Sequence, residues 1–236
     1  YENLRFFPSI TTWVVFNEGW GQFRTAENVA FVKNLDPTRI INGVTGWTDR
    51  KVGDIYDIHN YPSTSFKLAS ECNGRISVLG EFGGLSLNVP GHTWAQNNGW
   101  GYRNMDQSVE LANNYYRLVY DLESAAAQGL SAAVYTQTSD VEVELNGFMT
   151  YDRKVSKIDE RMMNLVNSRL YNVKPAAMRT IVERKSAGRI ENIAPKATVS
   201  YSEKFVCDSK PEGLSLWLSG NVNVKVSLNG VIVYDG

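Results

Sequence analysis

Apolar positions follow two rhythms over the first 170 residues or so of the chain. Short β-branched and aromatic runs alternate with stretches in which apolar residues return every three or four positions. Thr12-Trp13-Val14-Val15-Phe16 is continuously apolar and predicts a fully buried strand. Val29, Val32 and Leu35 give helical spacing over Arg24–Leu35, and Asp36-Pro37-Thr38 predicts a turn. Further strands are predicted at Ile40–Thr45, Ile55–Ile58 and Ile76–Leu79. A long loop rich in Gly, Asn and Trp then runs to about Asp106, which is placed to cap a helix. In that helix Val109, Ala112, Tyr116, Val119, Leu122 and Ala126 recur at helical spacing, and Gly129 closes it. Ser131–Tyr135 reads as a fifth strand, and Ile158, Met162, Leu165 and Val166 mark a last amphipathic helix.

Strands that alternate with helices predict a parallel sheet, either doubly wound or part of a (β/α)8 barrel. The pattern changes near Val173-Lys174-Pro175. Strands are predicted at Ala197–Ser202, Leu214–Leu218 and Val222–Leu228, with Asn229-Gly230 as a hairpin turn into Val231–Tyr234. The division is therefore residues 1–172, a linker over 173–195, and an incomplete β-domain over 196–236.

Charge narrows the function classes. The chain has 24 Lys and Arg against 25 Asp and Glu, so no basic field exists to hold a nucleic-acid backbone. No apolar run approaches the roughly 20 residues of a membrane-spanning helix. The two cysteines, Cys72 and Cys207, form neither a disulfide scaffold nor a metal-ligand spacing, and the two histidines, His59 and His92, are too few for a His-built zinc site. Aromatic residues make up 11%, enough for a dense core or for flat platforms that stack on sugars.

Candidate chemistry collects at the C-terminal ends of the predicted strands, the edge at which parallel α/β folds place their sites. Asn17-Glu18 ends the first strand, His59 and Tyr61 the third, Glu81 the fourth, and Thr136-Gln137 the fifth. Two carboxyl groups facing one another suit glycoside hydrolysis, which needs one to protonate the leaving oxygen and one to attack the anomeric carbon or activate water. A single Glu in such a place is more often a cap or an ion-pair partner; two at matching ends, one preceded by Asn and the other framed by Gly, weigh considerably against that reading.

Trp13-Val14-Val15-Phe16-Asn17-Glu18-Gly19-Trp20-Gly21-Gln22 resembles the acid/base strand of glycoside hydrolase family 2, the family of β-galactosidases, β-glucuronidases and β-mannosidases. Pro8-Ser9-Ile10 looks like its entry, with Phe7 where His is usual, and Asp36-Pro37-Thr38-Arg39 with Gly46-Trp47 resembles its next turn and strand. Leu79-Gly80-Glu81-Phe82-Gly83-Gly84 looks like the nucleophile strand, and Tyr135–Glu142 with Asn146-Gly147 and Thr150–Arg153 like the eighth strand and its loop in a subset of the family. The resemblance runs over residues 7 to 170. It implies an α/β fold, strands four to eight of a (β/α)8 TIM barrel followed by the start of an all-β sandwich, in the C-terminal part of a longer retaining exo-β-glycosidase, β-galactosidase-like first. Glu18 would be the acid/base and Glu81 the nucleophile, with carboxyls about 5–5.5 Å apart. No cofactor and no metal is required. The expected partners are a carbohydrate and either the missing N-terminal part of the parent or a second copy at the exposed edge of the first strand. The opposing expectation is a catalytically silent structural or carbohydrate-binding fragment. Relatives lean towards the periplasm or secretion, and the compartment is left unassigned.

Around the pair, Asn17 is placed to hold a sugar hydroxyl, and Trp20 and Trp47 either stack on a sugar or pack their loops. His59 is either structural or a substrate contact. Tyr61 is expected to donate a hydrogen bond to Glu81. Gln137 stands where many relatives place Trp. Asp140, with Glu142 and Glu144 on its face, either forms a cation site with oxygen ligands, holds sugar hydroxyls with Glu142, or belongs to a solvated or Arg-paired loop. His92, Trp94 and Trp100 either line the site or anchor the long loop.

Overall fold

The β-branched run of the first strand forms β1 (Thr12–Asn17), and α1 (Thr25–Leu35) returns the chain to β2 (Ile40–Thr45). There follow β3 (Ile55–Asn60), β4 (Ile76–Gly83), two short strands β5 (Leu85–Leu87) and β6 (Arg103–Met105), the long helix α2 (Ser108–Ala127), β7 (Ala132–Thr136), α3 (Glu160–Ser168), and a hairpin of β8 (Lys225–Leu228) and β9 (Val231–Asp235). This computed structural model describes residues 1–96, 98–172, 202, 204 and 225–235. The expected linker over 173–195, Cys207, and the strands expected over 197–202 and 214–218 lie, Ser202 apart, outside the described residues.

β1 pairs with β2, and β3 with β4 and β4 with β7, all parallel. Between β2 and β3 the ladder is interrupted, and side chains bridge the gap: Asn42 Nδ2 donates to Asp57 Oδ2 at 2.6 Å. Among the described residues β1 pairs only with β2 and β7 only with β4. β1 is not the fully buried strand its apolar run predicts: Val14 is 55% exposed, and Val134 of β7 equally so, because the sheet face each points from is uncovered.

The core lies on the other side of β4. Leu79 and Phe82 of β4, Leu85 and Leu87 of β5, and Met105 pack against Leu111, Tyr115, Leu118, Val119, Leu122 and Ala125 of α2. Burying each large apolar side chain contributes roughly 1.5–3 kcal/mol. The buried stripe is rotated from the one the spacing suggests. Leu111 and Tyr115 face the sheet, while Val109 is 40% exposed, because the helix is apolar over more than one face and β4 selects between the stripes. Asp106 is not the cap of α2. Gln107 occupies that position, and the Asp106 amide donates to Glu110 Oε2 at 3.1 Å. The long loop is also less irregular than expected, since β5 and β6 pair in parallel within it. At α3 the Asp159 carboxylate accepts from the Met162 amide at 2.8 Å, a regular N-cap. Asn229 and Gly230 both have positive φ, 50° and 82°, as a two-residue hairpin turn requires.

Candidate active site

The C-terminal ends of β1, β3 and β4 bring three side chains together. His59 Nδ1 lies 2.9 Å from Glu18 Oε1 and 3.2 Å from Glu81 Oε2. Towards an ionised Glu81 the ring nitrogen must donate, which places a proton on Nδ1. The His59 side chain is 1% exposed, Glu18 16% and Glu81 31%, so the two acids open to solvent over a buried imidazole. One oxygen of Glu18 and one of Glu81 lie within 4.8 Å of each other.

Each group is held by the local chain. Glu18 follows β1 in the left-handed region at φ 51°, an uncommon conformation for a residue with a Cβ. Thr45, at the end of β2, accepts the Glu18 amide at 3.3 Å and donates to Asn17 Oδ1 at 2.6 Å. Gln22 Nε2 donates to the Glu18 carbonyl at 2.9 Å. A Cβ at Gly46 would overlap the His59 ring, so only glycine leaves room for it. The Tyr61 hydroxyl lies 2.6 Å from Glu81 Oε2 and 2.8 Å from Thr136 Oγ1. Its proton goes to the carboxylate, and the threonine hydroxyl donates to the phenol oxygen. Burial, and then the bond to Glu81, push the Tyr61 phenol well above its ordinary range, so it stays a donor.

Compared with family models the chain finds no match, and compared with curated proteins it finds none. The site therefore stands on its own geometry.

Aromatic rings border both acids. The Trp47 ring lies against Gly19, the residue after Glu18, and meets Trp20 edge to face at 5.9 Å. Both indoles are largely exposed, at 73% for Trp20 and 61% for Trp47. On the Glu81 side Tyr102 stacks flat on Tyr61 at 3.8 Å, and Trp100 meets Tyr102 edge to face. Burial and the charges of Glu144, Glu18 and Glu81 raise the pKa of the Tyr102 hydroxyl. Glu144 is raised too, by burial foremost and then by the charge of Glu81, while Asn146 Nδ2 donates to it at 2.8 Å.

Gln137 and Asp140 are both bonded to the loop that follows β7. Gln137 Nε2 donates to Asn146 Oδ1 at 2.8 Å. Asp140 takes the alternative of pairing within the loop: its carboxylate, 2% exposed, accepts from Lys157 Nζ at 2.7 Å and from the Gly147 amide at 2.8 Å. His92 and Trp94 anchor the long loop, His92 through Asp152 at 2.9 Å and Trp94 edge to face with Tyr151. Three contributors went unread in the sequence: Thr45, Tyr102 and Asp57. Thr45 and Asp57 carry a signal: Thr45 ends the predicted second strand, and Asp57 shares the face of His59 and Tyr61 by period two.

Glu18, His59 and Glu81 are, among the described residues, the one group of three spaced to hold a cation. His59 Nδ1 faces both acids, while Nε2 on the far side of the ring is buried without a hydrogen-bond partner. No helix among the described residues is long and apolar enough to cross a membrane.

Proposed function

We propose that the chain carries the acid/base and the nucleophile of a retaining exo-β-glycosidase, on five strands (β1, β2, β3, β4 and β7) that correspond to strands four to eight of a (β/α)8 barrel. The observation that carries this reading is the carboxylate spacing, within 4.8 Å between nearest oxygens. Retaining enzymes hold the two groups about 5–5.5 Å apart, and inverting enzymes leave about 6.5–9.5 Å for a water between them.

In the first step a Glu81 oxygen attacks the anomeric carbon while Glu18 gives its proton to the glycosidic oxygen. The alcohol leaves with the bonding pair, and a glycosyl ester on Glu81 remains. In the second step Glu18, now a carboxylate, takes a proton from water as that water attacks the anomeric carbon, and Glu81 departs as the carboxylate. Tyr61 and His59 both address Glu81 Oε2, which leaves the other oxygen to attack. The exposed rings of Trp20 and Trp47 beside Glu18 offer the leaving group a flat apolar face. Neither step draws on a cofactor.

Incubation with a dinitrophenyl 2-deoxy-2-fluoro-β-galactoside, and then with the gluco and manno analogues, tests this reading. The expected result is a covalent glycosyl adduct mapped to Glu81, absent in Glu81→Gln. With Glu18→Ala, azide should restore turnover of an activated aryl glycoside. An adduct on another residue, or equal labelling of Glu81→Gln, overturns the assignment.

A second reading has its own observation. β1 and β7 each lack a partner on one side among the described residues, and Val14 and Val134 are exposed there. A chain left open in this way would bind a carbohydrate without turning it over. Saturable binding of the fluoroglycoside with no adduct would favour that reading.

A further inference from the structure

We propose that Asp57 is the positioning residue of Glu81: its buried carboxylate captures the backbone amide freed by a bulge in β4, and that bulge aims Glu81 into the site. The inference takes Glu81 as nucleophile from the reading above and adds the device that places it.

The bulge is read from register on both sides of β4. Against β3, Ile58 faces Leu79 but His59 faces Glu81, so Gly80 has no partner. Against β7, Leu79 faces Ala133 and Phe82 faces Tyr135, three residues of β4 for two of β7. The β3 ladder singles out Gly80 as the extra residue, and the β7 ladder places its extra residue in the same Gly80-Glu81 step. An extra residue shifts the alternation of side chains, which is how bulges re-aim groups beside active sites. Leu79 and Phe82 both pack into the core under α2, and Glu81 between them faces the site. Regular alternation would place residues three apart on opposite faces.

A bulge also leaves an amide without its ladder partner, and a buried amide must find another. The Gly80 amide donates to Asp57 Oδ1 at 2.8 Å. The same carboxylate accepts from Asn42 Nδ2 on the neighbouring strand, and Asp57 is only 7% exposed. A Cβ at position 80 would overlap that carboxylate, so glycine at the bulge and aspartate across from it form one fitted unit. Neither of the two bonded groups is an acid-base partner of the site. What the site requires of residue 57 is an acceptor oxygen, not a charge.

That distinction sets the test, made on the full chain with Asp57→Ala and Asp57→Asn. Asparagine keeps an oxygen for the Gly80 amide. Its NH2 can be taken by Asn42 Oδ1, which is buried without a partner in the wild type, once the Asn42 amide turns over. The readouts are the amide resonance and hydrogen exchange of Gly80, and the rate and saturation constant for fluoroglycoside labelling of Glu81. Asp57→Ala should shift the Gly80 amide, speed its exchange and slow labelling roughly 100-fold at saturation, with little change in the saturation constant, as expected for a group displaced by about 1 Å. Asp57→Asn should restore the amide resonance and most of the rate.

A folded Asp57→Ala with an unmoved Gly80 amide or an unchanged labelling rate overturns the proposal. If Asp57→Ala does not fold, Asp57→Asn alone decides: a folded protein that loses labelling as deeply as roughly 100-fold, the loss expected of a displaced nucleophile, overturns it. If the wild type is never labelled, the glycosidase reading fails by itself, and the Gly80 amide in the two variants still decides whether Asp57 holds the bulge.

Discussion

Lys157 and Asp140 hold the loop that carries Glu144 and Asn146, and breaking that pair is the sharpest test of how the site is supported. Lys157 Nζ lies 2.7 Å from Asp140 Oδ1 and 3.0 Å from the Leu145 carbonyl. The two side chains are 0% and 2% exposed, so water cannot take over from a missing partner. Burial pushes the Lys157 ammonium down from its ordinary value and the Asp140 carboxyl up, and their mutual bond opposes both shifts. Lys157→Met leaves a buried carboxylate with only the Gly147 amide, and the loss of one partner from a buried pair costs about 3–5 kcal/mol. Asp140→Asn strands the ammonium and should cost a similar amount. The double variant Lys157→Met with Asp140→Asn contains no buried charge, and Asn still accepts from Gly147. The Leu145 carbonyl keeps the Leu87 amide at 3.2 Å, so what the double variant lacks is that carbonyl's second donor and a partner for the introduced NH2 group, about 1–3 kcal/mol. The double variant should therefore be more stable than either single variant. Urea unfolding followed by tryptophan fluorescence measures all three, provided the slope with denaturant is unchanged. Single-variant losses below about 1 kcal/mol, the range of an exposed pair, would refute the reasoning, as would a double loss equal to the sum of the singles.

Two further predictions follow from single contacts. Tyr61→Phe removes the 2.6 Å bond to Glu81; at about 1.5–3 kcal/mol for a bond to a charged group, labelling of Glu81 or turnover should fall roughly 10- to 150-fold, and an unchanged rate would show that the phenol does not act on the nucleophile. The Asp152 carboxyl is held down from 3.8 to about 2, first by the Thr150 hydroxyl and then by His92. A folded-state value below the unfolded one means that this contribution is complete above about pH 4 and is lost as pH falls towards 2. Asp152→Asn should therefore lower the urea midpoint at neutral pH and leave it nearly unchanged at pH 2, and an equal loss at both pH values would exclude the carboxylate.

What the sequence made legible was the set of strand ends, because strand identity depends on local apolar runs and turn residues that a linear reading sees directly. Glu18, His59, Tyr61 and Glu81 follow from that, since each ends a strand of one parallel set. What stayed hidden depends on partners far along the chain. Tyr102 reaches the site only because β6 pairs with β5 and lays its ring on Tyr61. The alternation of Asp140 with Glu142 and Glu144 leaves its partner open, because that partner, Lys157, lies seventeen residues away. The apolar run of β1 predicts burial on both faces, whereas exposure at Val14 is set by what covers the face it points from. The bulge at Gly80 falls between these cases. Period two places Asp57 on the face of His59 and Tyr61, and a glycine directly before Glu81 at a strand end is visible to any reader. Their union is not visible, because it needs the register between two strands. Register is also what separates a glutamate that merely ends a strand from one turned back over it. The pairing of Gly80 with Asp57 therefore bears more directly on function than the presence of Glu81 alone, since a carboxylate at that position without the bulge would follow the ordinary alternation and face away from Glu18.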